Sequence, residues 1–139
     1  MQLHPQLQQD CTVVAQLPLC QLLLMRDANY PWFILVPQRE NVTEIYQLSP
    51  EDQQQLIRES SYLAQSLTQA FGADKINIAA LGNVVPQLHI HHIVRYRHDP
   101  AWPSPVWGKL PPKPYSDKQF TDVVSRLKQV FVSEVSYFI

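Results

Sequence analysis

The chain reads as an α+β domain: an antiparallel sheet of about five strands, with a long helix and a C-terminal helix packed on one side. Three observations predict this class. The apolar runs QLLLMR (21–26) and WFILV (32–36) have strand length and are bounded by turn residues. Two longer stretches, 50–71 and 117–135, repeat apolar residues at helical spacing. The resulting order, β-β-α-β-β-α with short links, is that of an antiparallel sheet carrying helices on one face. With 139 residues, 45% of them hydrophobic and 17% charged, the chain is read as one domain, 1–139, able to bury a core.

The elements follow in order. Residues 1–19 are weakly patterned and read as an entry helix or loop. QLLLMR and WFILV flank DANYP, whose Asp, Asn and Pro make the pair a β-hairpin. Both strands are apolar on each face, so the sheet is expected to be covered on one side and buried by a partner on the other. In LSPEDQQQLIRESSYLAQSLTQAFG, Ser49 is an N-cap, Pro50 fits the first helical position and Asp52 completes a weak capping box. Leu56, Leu63, Leu67, Ala70 and Phe71 form the apolar stripe, and Gly72 suits the end of about six turns. KINIAAL (75–81) reads as a strand, GNVVP as a turn and QLHIHHIVRY (87–96) as a second strand. HDPAWPSPVWGKLPPKPY holds six prolines in eighteen residues, which excludes regular helix or central strand. Its aromatic content predicts an arm packed along the surface. In 117–135, Phe120, Val123, Val124, Leu127 and Phe131 share one helical face.

Charge and composition narrow the function. A net charge of −1 with no basic block argues against backbone binding to nucleic acid, though not against a small phosphorylated ligand. Cys11 and Cys20 form no CxxC motif and read as buried small hydrophobes in a reducing compartment. MQLHPQLQQD lacks the basic and apolar regions of a secretory signal, and no apolar run approaches the roughly 20 residues of a membrane helix. The expectation is a soluble, cytoplasmic protein.

PQLHIHHIVRY (86–96) holds three of the five histidines. Side chains alternate along a strand, so Gln87, His89, His91 and Ile93 share one face, and Leu88, Ile90, His92 and Val94 the other. The second set is apolar except for His92 and should press onto the helices, His92 hydrogen-bonded there to a backbone carbonyl. The first set displays two imidazoles about 7 Å apart along a rigid ribbon. Three readings compete: incidental histidines; a metal held by His89 and His91, for which no third ligand stands at familiar spacing; or phosphate chemistry, one histidine attacking and one serving the leaving group.

The stretch resembles the signature of the histidine triad (HIT) superfamily, His-φ-His-φ-His-φ-φ with φ apolar, on a strand after a glycine-containing turn. Gly82 stands five residues before Gln87, which puts Gln87 in the first triad place, His89 in the middle and His91 last. FILVPQREN and EIYQLSPEDQQQLI resemble the family's strand, turn and long helix. The likeness covers about 20–108 as the core, with the proline-rich arm and C-terminal helix in 98–139. Gln87 in place of the first histidine and His92 in a φ place depart from the pattern.

The resemblance implies a nucleotide phosphohydrolase or nucleotidyl transferase. Its substrates would be nucleoside phosphoramidates or dinucleoside polyphosphates, cleaved at the α-phosphate through a covalent nucleotidyl-histidine. His89 would be the nucleophile, His91 the donor to phosphate or leaving group, and Gln87 a positioning residue for that pair. Asn83 and Gly82 would border the phosphate, and Val84 stands where many members carry a hydroxyl. Asp27 is the candidate for the ribose hydroxyls. Arg39 and Arg95 are candidate phosphate partners or, in the plainer reading, solvated strand-end charges; Trp102 and Trp107 are candidate lids or packing residues of the arm. No cofactor and no metal at the histidines are implied, and the partner expected besides the nucleotide is a second copy of the chain. The alternative is a nucleotide-binding module on the same scaffold that has lost turnover, which Gln87 and Val84 favour.

Overall fold

The computed structural model describes residues 1–131 and the short strand Tyr137–Phe138. In chain order the elements are α1 (Pro5–Asp10), β1 (Cys11–Gln16), β2 (Cys20–Met25), β3 (Trp32–Pro37), a 3-10 turn (Ile45–Gln47), α2 (Pro50–Phe71), β4 (Lys75–Ala79), β5 (Ile90–Arg95), α3 (Asp117–Val130) and β6 (Tyr137–Phe138). The sheet runs β4-β5-β3-β2-β1-β6, with every neighbouring pair antiparallel. Five full strands and the two-residue β6 thus make an α+β domain of the expected class.

β3 and β5, adjacent in the middle of the sheet, are buried along their whole length. Each large apolar side chain they bury contributes about 1.5–3 kcal/mol. One face carries Phe33, Leu35, Ile90 and Val94 against Leu56, Leu63, Leu67 and Phe71 of α2 and Leu127 of α3. α2 is capped as its sequence dictates: Ser49 accepts from the Asp52 amide at 3.1 Å, Pro50 opens the first turn and Gly72 closes the helix at φ 62°. Asp52 does not close a capping box; its carboxylate pairs with Arg39 at 2.7 Å.

Several expectations are corrected. Residues 1–19 hold a helix and a full strand, because CTVVAQ pairs along β2. The second face of the sheet is covered by the chain itself: Leu7 of α1 and Ala101 and Val106 of the arm pack on Trp32, Ile34 and Ile93. β4 stops at Ala79 and β5 starts at Ile90, where the pairings Ala79↔His91 and Leu35↔Ile90 end the ladders. Gln87 to His89 are therefore a lead-in to the strand and not part of it. α3 ends at Val130 with Phe131 as its cap, and the helix expected over 132–135 lies outside the described residues.

Candidate active site

The two imidazoles that the strand period places together lie side by side. His89 and His91 have ring centroids 4.9 Å apart, and both line a cleft of about 250 Å³. Its walls come from α1 (Gln6, Leu7, Asp10), the 81–85 turn and Trp107 of the arm. A larger hollow of about 450 Å³ opens beyond Gln87, but neither histidine lines it.

The hydrogen bonds fix what each ring can do. His89 Nδ1 lies 2.7 Å from the Gln87 carbonyl oxygen. A carbonyl only accepts, so Nδ1 carries the proton and Nε2 of the neutral ring keeps its lone pair. Nε2 has no hydrogen-bond partner among the described residues. Burial lowers the His89 pKa below its usual 6.5, opposed in part by the Gln87 bond and reinforced by His4, so the ring is neutral at pH 7.

His91 is held at both nitrogens. The indole Nε1–H of Trp32 donates to Nδ1 at 3.0 Å, and Nε2 faces the Leu81 carbonyl at 3.2 Å. Indole N–H is a donor only, so Nδ1 accepts and the proton sits on Nε2. Burial first and His89 next pull the His91 pKa down to about 4. Trp32 and Trp107 meet the ring at centroid distances of 5.7 and 5.1 Å.

His92 points the other way. Its Nδ1 donates to the Ile90 carbonyl at 3.0 Å, so Nε2 accepts from the Ser60 hydroxyl of α2 at 2.7 Å. Burial brings its pKa to about 4. The strand β5 and the residues leading into it thus turn two neutral rings to the cleft and pin a third into the helix layer behind.

Gly82 packs against His89 of this pair. A Cβ there would lie 2.6 Å from the Val85 carbonyl oxygen and 3.3 Å from His89 Cε1. Only a residue without a side chain lets the turn pass against the ring.

Comparison with known proteins agrees with this geometry. The HIT domain family model matches residues 6–98. A solved histidine triad protein from Marinobacter aquaeolei is 52% identical, with a TM-score of 0.91 over 94% of this chain and 95% of that one. Those from Bradyrhizobium japonicum and Sinorhizobium meliloti are 42% and 43% identical, with TM-scores of 0.92 and 0.91. They cover 94% and 93% of this chain, and 98% and 96% of their own. The chain belongs to the histidine triad family. A hypothetical histidine triad nucleotide-binding protein from Sulfolobus tokodaii, 13% identical with a TM-score of 0.64 over 84% of this chain and 80% of that one, shares the HIT fold alone. No curated protein matches.

Within this HIT domain the other site residues expected from sequence separate. Gly82 and Asn83 line the histidine cleft, as does Val84, which is 85% exposed at its mouth. Gln87 contributes its backbone carbonyl to His89, but its side chain turns away. Its Oε1 accepts from the His4 amide at 2.8 Å, and its Nε2 donates to the Gln2 carbonyl at 3.2 Å. Asp27 does not line the histidine cleft. Its Oδ1 accepts from Asn29 and from the Lys113 amide at 3.2 Å, and it borders an adjoining hollow of about 230 Å³ that shares Asp10 and Met25 with the cleft. Arg95 is neither a phosphate partner nor a solvated charge. It is 1% exposed, bound to Asp99 at 2.8 Å and to Asn77 and the Ser104 carbonyl, with its guanidinium 5.8 Å from the Tyr30 ring and 5.7 Å from the Trp102 ring. Arg39 serves Asp52. Of the two arm tryptophans, Trp107 reaches the cleft and Trp102 packs on Arg95.

Sequence reasoning missed Trp32, Gln6 and Asp10. Gln6 Nε2 donates to Asp10 Oδ2 at 2.8 Å, and both stand in the cleft wall. The only signal for Trp32 was an indole opening an otherwise apolar strand. Among the described residues no group of three or more His, Cys, Asp or Glu side chains is placed to hold a metal ion, and no helix is long and apolar enough to cross a membrane.

Proposed function

We propose that this HIT protein binds nucleotides and transfers or hydrolyses the nucleotidyl group at their α-phosphate through a covalent intermediate on His89. The supporting observation is the bond from His89 Nδ1 to the Gln87 carbonyl, which leaves the lone pair on Nε2 of a ring that lines the cleft beside His91. Nε2 attacks phosphorus, the bond to the leaving group breaks, and water later releases the nucleotide and restores the ring. His91 gives its Nε2–H to a phosphate or leaving-group oxygen, exchanging it for the Leu81 carbonyl. Nucleoside phosphoramidates and dinucleoside polyphosphates are the substrates first to be tried. In this register Gln87 holds the first triad place and acts through its backbone carbonyl. Asn83 and the Gly82 turn border the phosphate. Asp27 receives the ribose through Oδ2, which has no partner among the described residues.

A second reading, nucleotide binding without turnover, is favoured by two features: Val84 brings no hydroxyl to the cleft, and the Gln87 amide is directed to the N-terminal segment. One experiment separates them. The protein is incubated with adenosine phosphoramidate, adenylyl sulfate and diadenosine tetraphosphate, with and without chelator, and any adduct is mapped by mass spectrometry. Chelator-resistant turnover with nucleotide on His89, lost in His89→Ala, is expected. Tight binding with neither adduct nor turnover establishes the second reading, and an adduct on His91 overturns the register.

Two accompanying assignments are proposals of the same kind. A homodimer is supported by the outer edge of β4, unpaired among the described residues and carrying half-exposed Ile78; light scattering tests it. A cytoplasmic location is supported by Cys11 and Cys20, which are buried and unpaired.

A further inference from the structure

The two bonds at His91 limit which substrates the site can cleave. Nδ1 is filled by the indole N–H of Trp32, itself buried at 5% exposure, and Nε2 carries the ring's one proton. To become an imidazolium, His91 would have to place a second N–H against the N–H of Trp32, donor against donor, in a buried site. To give up its Nε2 proton instead, it would have to become an imidazolate. Among the described residues, the other titratable side chains lining the cleft are Asp10 and Cys11. Asp10 Oδ2 accepts from Gln6, and the Cys11 thiol is buried and in contact with the sulfur of Met25 at 3.7 Å, so neither is turned to a leaving group.

We propose that Trp32 locks His91 as a neutral hydrogen-bond donor that never transfers a proton. The cleft then cleaves α-phosphate bonds to oxygen leaving groups that depart as anions, such as acyl, sulfate or aryloxide groups, in preference to amines. The proposal rests on the nucleotidyl-transfer reading and narrows it. In the first step the Nε2 lone pair of His89 forms the P–N bond while the P–O electron pair leaves on oxygen, and His91 keeps its proton throughout. In the second, water forms the new P–O bond, the P–N pair returns to Nε2, and the water's proton passes to solvent. An amine, by contrast, must be protonated as it leaves, and no side chain among the described cleft residues is placed to supply that proton. Trp32 is a positioning residue here: it touches His91 and not the substrate.

Two measurements on the full chain test this. The first is the tautomer of His91 by ¹⁵N NMR, in wild type and in Trp32→Phe. Wild type is expected to show protonated Nε2 and bare Nδ1 from about pH 5 to 8, and the variant a mixture of tautomers. A protonated Nδ1 in wild type overturns the proposal whether or not the protein turns over. If Trp32→Phe does not fold, the wild-type spectrum still decides. The second is kcat/KM for aryl esters of AMP with phenols of graded acidity, beside adenosine phosphoramidate. Without proton transfer, kcat/KM should fall by about 10²–10⁴ from the most to the least acidic phenol, the contribution a proton-donating side chain would otherwise supply. The phosphoramidate should lie at the slow end. A flat series, or a phosphoramidate as fast as the most acidic phenol ester, overturns the proposal. A correct tautomer with no adduct and no turnover of any ester means that the nucleotidyl-transfer reading itself has failed, and the substrate preference with it.

Discussion

Gly82→Ala is the substitution whose cost follows most directly from distance. Ordinary carbon–oxygen contact begins near 3.4 Å, and the added methyl would stand 2.6 Å from the Val85 carbonyl oxygen. That oxygen belongs to the backbone, so no rotamer change relieves the contact, and the 82–85 turn must open by several tenths of an ångström. On its other side the methyl meets His89 Cε1 at 3.3 Å, the carbon between the ring's two nitrogens. Overpacking of this kind costs about 1–3 kcal/mol. For a domain of this size that is a fall in Tm of roughly 4–12 °C. Tilting the nucleophile should cost more than stability alone explains, about tenfold to a hundredfold in kcat/KM for nucleotidyl transfer, since 1 Å of misplacement can cost about 10². Gly72→Ala is the control. A Cβ there meets nothing within 4 Å, but the φ of 62° is strained for alanine, so Tm falls by a similar amount while activity is kept. Differential scanning calorimetry and steady-state kinetics on both variants read the two effects apart. Wild-type kcat/KM in folded Gly82→Ala would refute the claim that this glycine is required by its approach to His89.

The remaining expectations concern charge. Transfer should need neutral His89, whose pKa is lowered, so the rate rises with pH through a midpoint below 6.5 and is level at neutrality; a profile still climbing between pH 7 and 8 contradicts it. The folded state holds His91 and His92 near pKa 4 while the unfolded chain takes protons at about 6.5. The unfolded state therefore binds more protons between those values, and stability falls as pH drops from 6.5 to 4, by on the order of 3 kcal/mol per histidine. Urea midpoints across that range should show the loss, and His92→Leu combined with Ser60→Ala should make it shallower. Arg95→Met leaves the Asp99 carboxylate buried without its cation and should cost about 3–5 kcal/mol in urea unfolding; a loss under about 1 kcal/mol means the pair is not closed to water. Asp10 is the one carboxylate in a cleft wall with no Lys or Arg, so Asp10→Asn should raise kcat/KM for diadenosine tetraphosphate about tenfold, equivalent to about 1.4 kcal/mol of relieved repulsion. An unchanged value would show that the polyphosphate does not pass Asp10.

What could be read from the sequence was local and periodic. Ser49, Pro50 and Gly72 announced α2 because caps act within one turn, and the period of two put His89 and His91 on one face with His92 behind. What could not be read came from across the fold. β1 was missed because CTVVAQ follows a short helix with no turn residue to mark its start, and only pairing with β2 makes it a strand. Arg95 looked like a strand-end charge because the residues that bury it come from three different segments: Asn77 of β4, Tyr30 of the hairpin turn, and Asp99 and Trp102 of the arm. Gln87 stands beside His89, but its amide answers to residues more than 80 positions earlier. The tautomers of His89 and His91 similarly needed the Gln87 and Leu81 carbonyls and the Trp32 indole, which no spacing rule reaches.

The arm that delivers Trp107 is tied to the scaffold at both ends, and between them through the Ser104 and Pro111 carbonyls, which accept from Arg95 and Asn29. At one end Asp99 grips Arg95; at the other the Lys113 carbonyl accepts from the Ala28 amide, and the Lys113 amide donates to the Asp27 carboxylate. Between those moorings it is irregular and takes no part in the sheet. It is therefore the natural cassette for engineering: exchanging residues 100–112 would refit the roof of the cleft while leaving both imidazoles on the ribbon that carries them.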